Sequence, residues 1–358
     1  MTAAVFVMII GFFPLLGFVT EPPAILTSER RAPAKLPVFS AKTVISGEFA
    51  DKFESYAADN IPLRERLRTL RAAAVFGVFM QTDKDGLYFT PEGAGKFAPL
   101  DSASVELAAD KIKRVADGLS DMNVYYSFIP DKSIYIKARR FPGFDPAEAE
   151  RIMTSRLSSD EFTFIPLTNA LGIGDYYKTD LHWDQTKISG VTSALGAAMG
   201  VEVDMSGCTT LYAGEFFGVY AGQVALPTGS DSMYYISFPG LTAEYLNEKT
   251  LAAESAPVYD VEGFSGVDPY DIFLRGAQPL VVLENKNAAT ERELYLFRDS
   301  FSSSLAPLLA SAYSKVVLID LRYLDSRLLD QYIEFVPGSD VLFLFSSQIL
   351  NNSSVLRA

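Results

Sequence analysis

The sequence predicts an α/β fold, a three-layer sandwich around a central parallel sheet with a β- and loop-rich insertion. Three observations carry this. Short apolar runs alternate with helical stretches, the alternation is clearest near the carboxyl end, and 49% of the 358 residues are hydrophobic, enough to bury a sizeable core. The elements follow in order. Residues 3–19, AAVFVMIIGFFPLLGFV, carry no charge, and residues 1–22 are read as a membrane anchor or signal, here an uncleaved anchor interrupted by Pro14. Arg30, Arg31 and Lys35 follow it, a placement that by the positive-inside tendency favours the reverse orientation. Residues 23–44, rich in Pro, Ala and charge without helical or strand period, read as a linker. The folded part is expected over residues 45–358.

Within it, Phe49, Phe53, Tyr56, Leu63, Leu67, Leu70 and Val75 recur at three and four, predicting one or two amphipathic helices over 48–80. Leu107, Ile112, Val115 and Leu119 predict another over 103–120. VYYSFIP at 124–130 and FTFIPL at 162–167 are short buried-strand runs, where the central sheet should begin. Near the carboxyl end ELYLFRD at 293–299, a helix over about 302–314, KVVLIDL at 315–321, another helix and VLFLFS at 341–346 repeat the strand–helix rhythm of crossover units. Between these halves, about 200–290 is rich in Gly, Tyr and short pieces such as MYYISF and PLVVLE, which predict an insertion of strands and loops.

Charge and composition remove several classes of function. Thirty-one basic against 44 acidic residues give a net charge of −13, which repels phosphate backbones and excludes a broad nucleic-acid surface. A single cysteine, Cys208, permits no intramolecular disulfide and no cysteine-based zinc site. With one histidine there is no His-rich metal centre, so no metal or cofactor is expected, and any imidazole chemistry runs through His182.

Acyl transfer needs a nucleophile, a base, a group that orients the base and donors for an oxyanion. In TDLHWD, residues 179–184, Asp180 and His182 are two apart, so in an extended or turn segment both project to one side and the carboxylate can reach one ring nitrogen. In LYLFRDSFSSS, residues 294–304, Ser300 falls where an apolar strand gives way to a helix, a turn that exposes a hydroxyl beside a helix N-terminus. Either feature alone is more often structural, since Ser302, Ser303 and Ser304 are natural helix caps, Ser300 could be one too, and satisfied histidines are common.

The blocks SERRAPAKLPVFS, FESYAADNIPLRERL, FIPDKSIYIKARRFPG, YYKTDLHWDQTKISG and FRDSFSSSLAPLL with VVLIDLRYL, spread over residues 28–346, resemble those of the DHHW family and the related alginate O-acetyltransferases of the AlgJ and AlgX type, permuted relatives of the SGNH hydrolases. The resemblance implies an SGNH-like permuted fold, with Asp180 as orienter, His182 as base and Ser300 as nucleophile. It further implies an extracytoplasmic, membrane-anchored serine O-acetyltransferase that needs no cofactor and modifies a cell-surface or exported polysaccharide. The acyl group would come from an MBOAT-type membrane acyltransferase. A polysaccharide acetylesterase with the same residues and a non-catalytic glycan-binding scaffold of the cell envelope are the alternatives. Leu181 stands where the family name implies a second histidine, and Arg298 and Asp299 where Gly or Thr is frequent. Arg322 matches a recurring family position and can equally pair with Asp320, while Trp183 is expected to pack behind the imidazole.

Overall fold

The computed structural model describes residues 23–119, 121–137, 143–158, 161–247 and 252–358. The apolar segment read as an anchor lies outside them. In chain order the elements are α1 (Ala41–Ile45), α2 (Glu48–Asn60), α3 (Arg64–Ala73), a hairpin of β1 (Leu87–Thr90) and β2 (Gly93–Lys96), α4 (Ser102–Ala116), β3 (Asn123–Ile129), α5 (Pro146–Arg156) and β4 (Phe162–Phe164). There follow α6 (Ser189–Met199), β5 (Thr209–Phe216), α7 (Val219–Val224), β6 (Asp231–Ser237), β7 (Leu241–Leu246), β8 (Ala253–Ala256) and β9 (Leu280–Asn285). The chain closes with β10 (Thr290–Arg298), α8 (Ser302–Leu309), β11 (Tyr313–Ile319) and β12 (Asp340–Ser346). Helix starts are set by local chemistry: the Asp101 carboxylate accepts from Ser104 N–H at the head of α4, and Asp145 caps α5 with Pro146 in its first turn.

Among the described residues the central sheet has eight strands in the order β4-β3-β12-β10-β11-β9-β7-β8. The first five are mutually parallel, whereas β9, β7 and β8 extend the sheet antiparallel. The expectation of a parallel sheet is therefore corrected to a mixed one. The physical reason is that short connections join β7 to β8 and β9 to β10, and only a crossover over the sheet permits parallel neighbours. The segment 200–290 is likewise more than an insertion: β7, β8 and β9 build the sheet's far edge, while β5 and β6 pair with each other outside it.

Period-two alternation on the central strands splits the core into two layers. Leu294 and Leu296 of β10, Val316 and Leu318 of β11 and Leu342 and Leu344 of β12 face one core with α6 and α8. Tyr295 and Phe297, Val317 and Ile319, and Val341, Phe343 and Phe345 face the other with α4 and α5. Phe297 and Phe343, paired in register, stack at 4.4 Å. A slip of one residue would exchange the two sets, so burial on both faces fixes the register.

Some predicted bounds shift. The helix after Ser300 stops at Leu309, and the next strand begins at Tyr313, because Leu305, Leu308 and Leu309 already cover the sheet face and the chain must return to pair with β10. Leu107, expected on the buried side of α4, is 39% exposed, while Val105, Ala108 and Ala109 are buried instead. The stretch 23–44 is not free of the domain, since Leu26 is buried and pairs with Arg31 across a turn.

Beyond β10 the chain crosses to the α8 side of the sheet, whereas beyond β12 it turns to the opposite core through Leu350. The carboxyl ends of these two neighbouring strands thus form a topological switch point, the place where open α/β sheets bind ligands.

Candidate active site

The turn after β10 lies at that switch point. Asp299 accepts from Phe301 N–H at 3.1 Å through one oxygen and from Ser346 N–H at 2.6 Å through the other, tying the ends of β10 and β12 together. Ser302 and Ser303 N–H groups donate to Asp299 and Ser300 carbonyls, closing the turn into α8. Arg298, wholly buried, donates to Ser303 Oγ at 3.0 Å and to the Gln278 carbonyl at 3.2 Å. These contacts hold Ser300 half-buried at the head of α8, where the helix dipole favours negative charge.

The second element is a hairpin. Tyr176 bridges Trp183, and Tyr177 N–H donates to the His182 carbonyl, so residues 177–182 form a closed loop. Three supports freeze it. The buried Lys132 ammonium donates to the carbonyls of Tyr177, Lys178 and Asp180 at 2.6, 3.1 and 2.7 Å. Asp231 accepts from the backbone N–H of Lys178 and Thr179 and from the Thr179 hydroxyl. Gly218 lies so close to this loop that a Cβ would stand 2.2 Å from the Thr179 carbonyl carbon, a contact only glycine permits.

The two elements meet. His182 Nε2 lies 2.9 Å from Ser300 Oγ, and Nδ1 lies 2.7 Å from Asp180 Oδ1. With a carboxylate on Nδ1 the neutral ring keeps its proton there, so Nε2 accepts from the serine hydroxyl. Asp180 is fully buried; that burial pushes its carboxyl up, but the His182 hydrogen bond and charge and the Arg30 guanidinium outweigh it and hold the carboxyl well below the usual carboxylate range. Val219 N–H donates to Asp180 Oδ2 at 2.9 Å. Burial lowers the Lys132 ammonium to about 8, although Asp180, Asp131 and Asp231 oppose the shift. The arrangement can pass a proton from hydroxyl to imidazole while the carboxylate stabilises the imidazolium.

The flanking residues take the following places. Trp183 is buried and meets edge-on the Phe301 ring, which itself lies 4.8 Å from the imidazole; it donates through Nε1 to Ser304 Oγ at 2.8 Å and to the Phe301 carbonyl at 3.1 Å. Arg322 forms a two-point ion pair with Asp320 at 2.9 and 2.6 Å. Tyr270 was not foreseen: its ring stacks on the imidazole at 3.7 Å and 5°, and its hydroxyl donates to Ser304 Oγ. It comes from 269–272 in a Gly- and Asp-rich stretch, where nothing in the sequence marks a partner for His182. Lys132 carried one usable signal, a cation directly after an apolar strand, and Arg30 sits in the SERR block.

No family model matches the chain, and no curated protein matches it in sequence. Its fold has solved counterparts. A DHHW family protein from Eubacterium siraeum superposes with a TM-score of 0.61 at 16% identity, covering 76% of this chain and 94% of that one. Bacillus cereus PatB1 superposes with a TM-score of 0.56 at 16% identity, covering 76% of this chain and 99% of that one, and has also been solved with a sulfonyl adduct. The O-acetyltransferase domain of Pseudomonas putida AlgJ reaches only 0.42 at 12% identity over 74% of this chain and 92% of that one, too low to add to the assignment. In fold, this chain is similar to a DHHW family protein, the family that its sequence blocks resemble, and to PatB1.

Proposed function

We propose that this chain is an extracytoplasmic serine-dependent O-acetyltransferase acting on a cell-surface or exported polysaccharide, with Ser300 as nucleophile, His182 as general base and Asp180 as orienter. The observation that carries the reading is the unbroken relay Asp180–His182–Ser300, at 2.7 and 2.9 Å, set at the sheet's switch point. Ser300 Oγ attacks the acetyl carbonyl as its proton passes to His182 Nε2. The tetrahedral intermediate collapses, the leaving group takes that proton, and acetyl-Ser300 remains. A sugar hydroxyl then attacks the ester carbonyl, its proton going to His182; collapse returns the proton to Ser300 Oγ and releases the acetylated sugar. An MBOAT-type membrane acyltransferase would supply the acetyl group, and the apolar residues 3–19 would hold the chain beside it.

The test is to incubate the purified protein with an activated acetyl ester and oligosaccharides, with Ser300→Ala alongside. Acetylated sugar made by the parent chain and absent with Ser300→Ala is expected. Free acetate alone would make the protein an esterase with the same residues, full activity of Ser300→Ala would overturn the acyl-enzyme, and inactivity of the parent on all donors would leave a glycan-binding scaffold. An arylsulfonyl fluoride, which modifies activated hydroxyls, is expected to label Ser300 and not the alanine variant.

A further inference from the structure

The segment 26–31, directly after the stretch read as an anchor, reaches the back of the site. Leu26 and Arg31 pair across a turn whose tip carries Arg30 at positive φ (52°). The turn is fastened at several points. Arg31 and Asp59 form a two-point ion pair, Glu29 pairs with Arg64 and Arg68, and Arg68 donates to Ser28 Oγ. Gly222 of α7 lies under it so closely that a Cβ would stand 1.9 Å from the Ser28 carbonyl oxygen. A non-glycine residue held in the left-handed region costs backbone energy, and this network of contacts supplies the compensation.

The side chain so presented is 8% exposed and reaches three acceptors. Arg30 pairs with Asp180 Oδ2 at 3.2 Å and with Asp268 Oδ1 at 2.7 Å, and donates to the Phe217 carbonyl at 3.1 Å. Asp268 Oδ1 in turn accepts from Tyr270 N–H at 2.9 Å, which starts the short turn bearing the ring stacked on His182. One guanidinium thereby fixes both the carboxylate that orients the imidazole and the aromatic plate that covers it.

We propose that Arg30 is a positioning residue for the proton relay, working through Asp180; this rests on the reading of Ser300, His182 and Asp180 given above. The two carboxylate oxygens have divided tasks. Oδ1 faces the imidazole, and Oδ2 is engaged by Arg30 and Val219 N–H, so the carboxylate cannot rotate. Electrostatically, Arg30 also tempers the base. A buried carboxylate with no other counter-charge strengthens the grip of an adjacent imidazole on its proton, and a cation on the far oxygen takes back part of that field. Among the described residues, other charged groups bearing on this cluster are Lys132, which raises the local positive potential, and Asp131, Asp231, Asp268 and Asp299, which lower it; Asp271, whose carboxyl burial and Asp268 push up to about 6, lowers it only where ionised. Removing Arg30 tips that sum toward the carboxylates.

Because the chain has a single histidine, its imidazole titration can be followed by NMR without assignment, on full-length protein whose purification tag holds no histidine. In Arg30→Gln the titration midpoint should rise by about half a unit to one unit, and the acid limb of the activity profile should move to higher pH with it. Activity at neutral pH should fall roughly 10- to 100-fold, as for a misaligned reacting group. Arg30→Lys should keep the midpoint near that of the parent. Gly222→Ala, which keeps the Arg30 side chain but forces the turn that carries it off α7 and away from Asp180, should reproduce the rise, and it replaces Arg30→Gln if that variant fails to fold. An unchanged midpoint in the folded variant overturns the proposal. A fall in activity with no movement of the midpoint also overturns it, since it marks Arg30 as merely structural. Ser300→Ala separates the two readings: if it retains activity the acyl-enzyme falls, while the titration still decides the role of Arg30.

Discussion

The two halves of the relay are built by different means. Ser300 stands where a central strand ends, and its place follows from sheet register: β10 is paired on both sides, and Asp299 ties its end to Ser346 of β12. Asp180 and His182 stand on a loop with no strand to fix it, and polar contacts from distant stretches do that work instead: Lys132, Asp231, Gly218 and Arg30. The contrast teaches that the hydroxyl is placed by the hydrophobic core and the imidazole by a hydrogen-bonded frame. Damage to the first should strike chemistry or global folding, and damage to the second should strike the loop.

The largest effect should separate chemistry from stability. Ser300→Ala removes the hydroxyl from an otherwise intact turn, and acyl-transfer rate is expected to fall about 10⁴-fold, with the thermal unfolding midpoint unchanged within error. A large drop in that midpoint would show that the serine holds the turn and would break the contrast. Next comes Lys132→Met, similar in volume but without donors. It takes the donor from the Tyr177 and Asp180 carbonyls in a buried place, while the Lys178 carbonyl keeps Ala94 N–H, and should cost about 3 kcal/mol by denaturant unfolding. Loss should appear first as faster amide exchange over 177–182, and exchange rising equally in β10 would deny the loop its separate frame.

Asp180→Asn should cost about 2 kcal/mol at neutral pH. Because the folded carboxyl lies below its unfolded value, its stabilisation is fully present above the ordinary carboxylate range and is lost as pH falls. The gap between parent and variant should therefore hold from about pH 5 to 8 and narrow below about pH 4. A gap that widens in acid would contradict the charge held at Asp180. The smallest effect should be Tyr270→Phe, which keeps the ring stacked on His182 and loses the hydrogen bond to Ser304, a cost of about 1 kcal/mol with nearly unchanged turnover. Tyr270→Ala, which removes the plate, should lower turnover as well.

Legibility in the sequence follows the same division. The runs at 124–130, 293–299, 315–321 and 341–346 were readable as strands because burial on both faces forces a continuous apolar pattern. The serine was readable because such a run ended at it. Asp180 and His182 were readable as a pair because their spacing is local. The meeting of that pair with Ser300 is a contact across 118 residues, which no local pattern encodes. The antiparallel extension by β7, β8 and β9 was hidden for a related reason: a short edge strand reads alike whether it joins the main sheet or a separate ribbon, as β5 and β6 do.

By itself, then, the sequence determined the kind of fold, the strands at its centre, and the identity of a carboxylate, an imidazole and a hydroxyl suited to one proton path. Only the tertiary structure decided that Arg30, Lys132 and Tyr270 surround them, that β7, β8 and β9 of segment 200–290 join the sheet, and that the three groups lie within hydrogen-bond reach. Periodicity and spacing report the burial and geometry of neighbours along the chain. The frame that holds the imidazole depends on the closure of long loops, and its energy exists only once distant polar groups have been brought together and shielded from water.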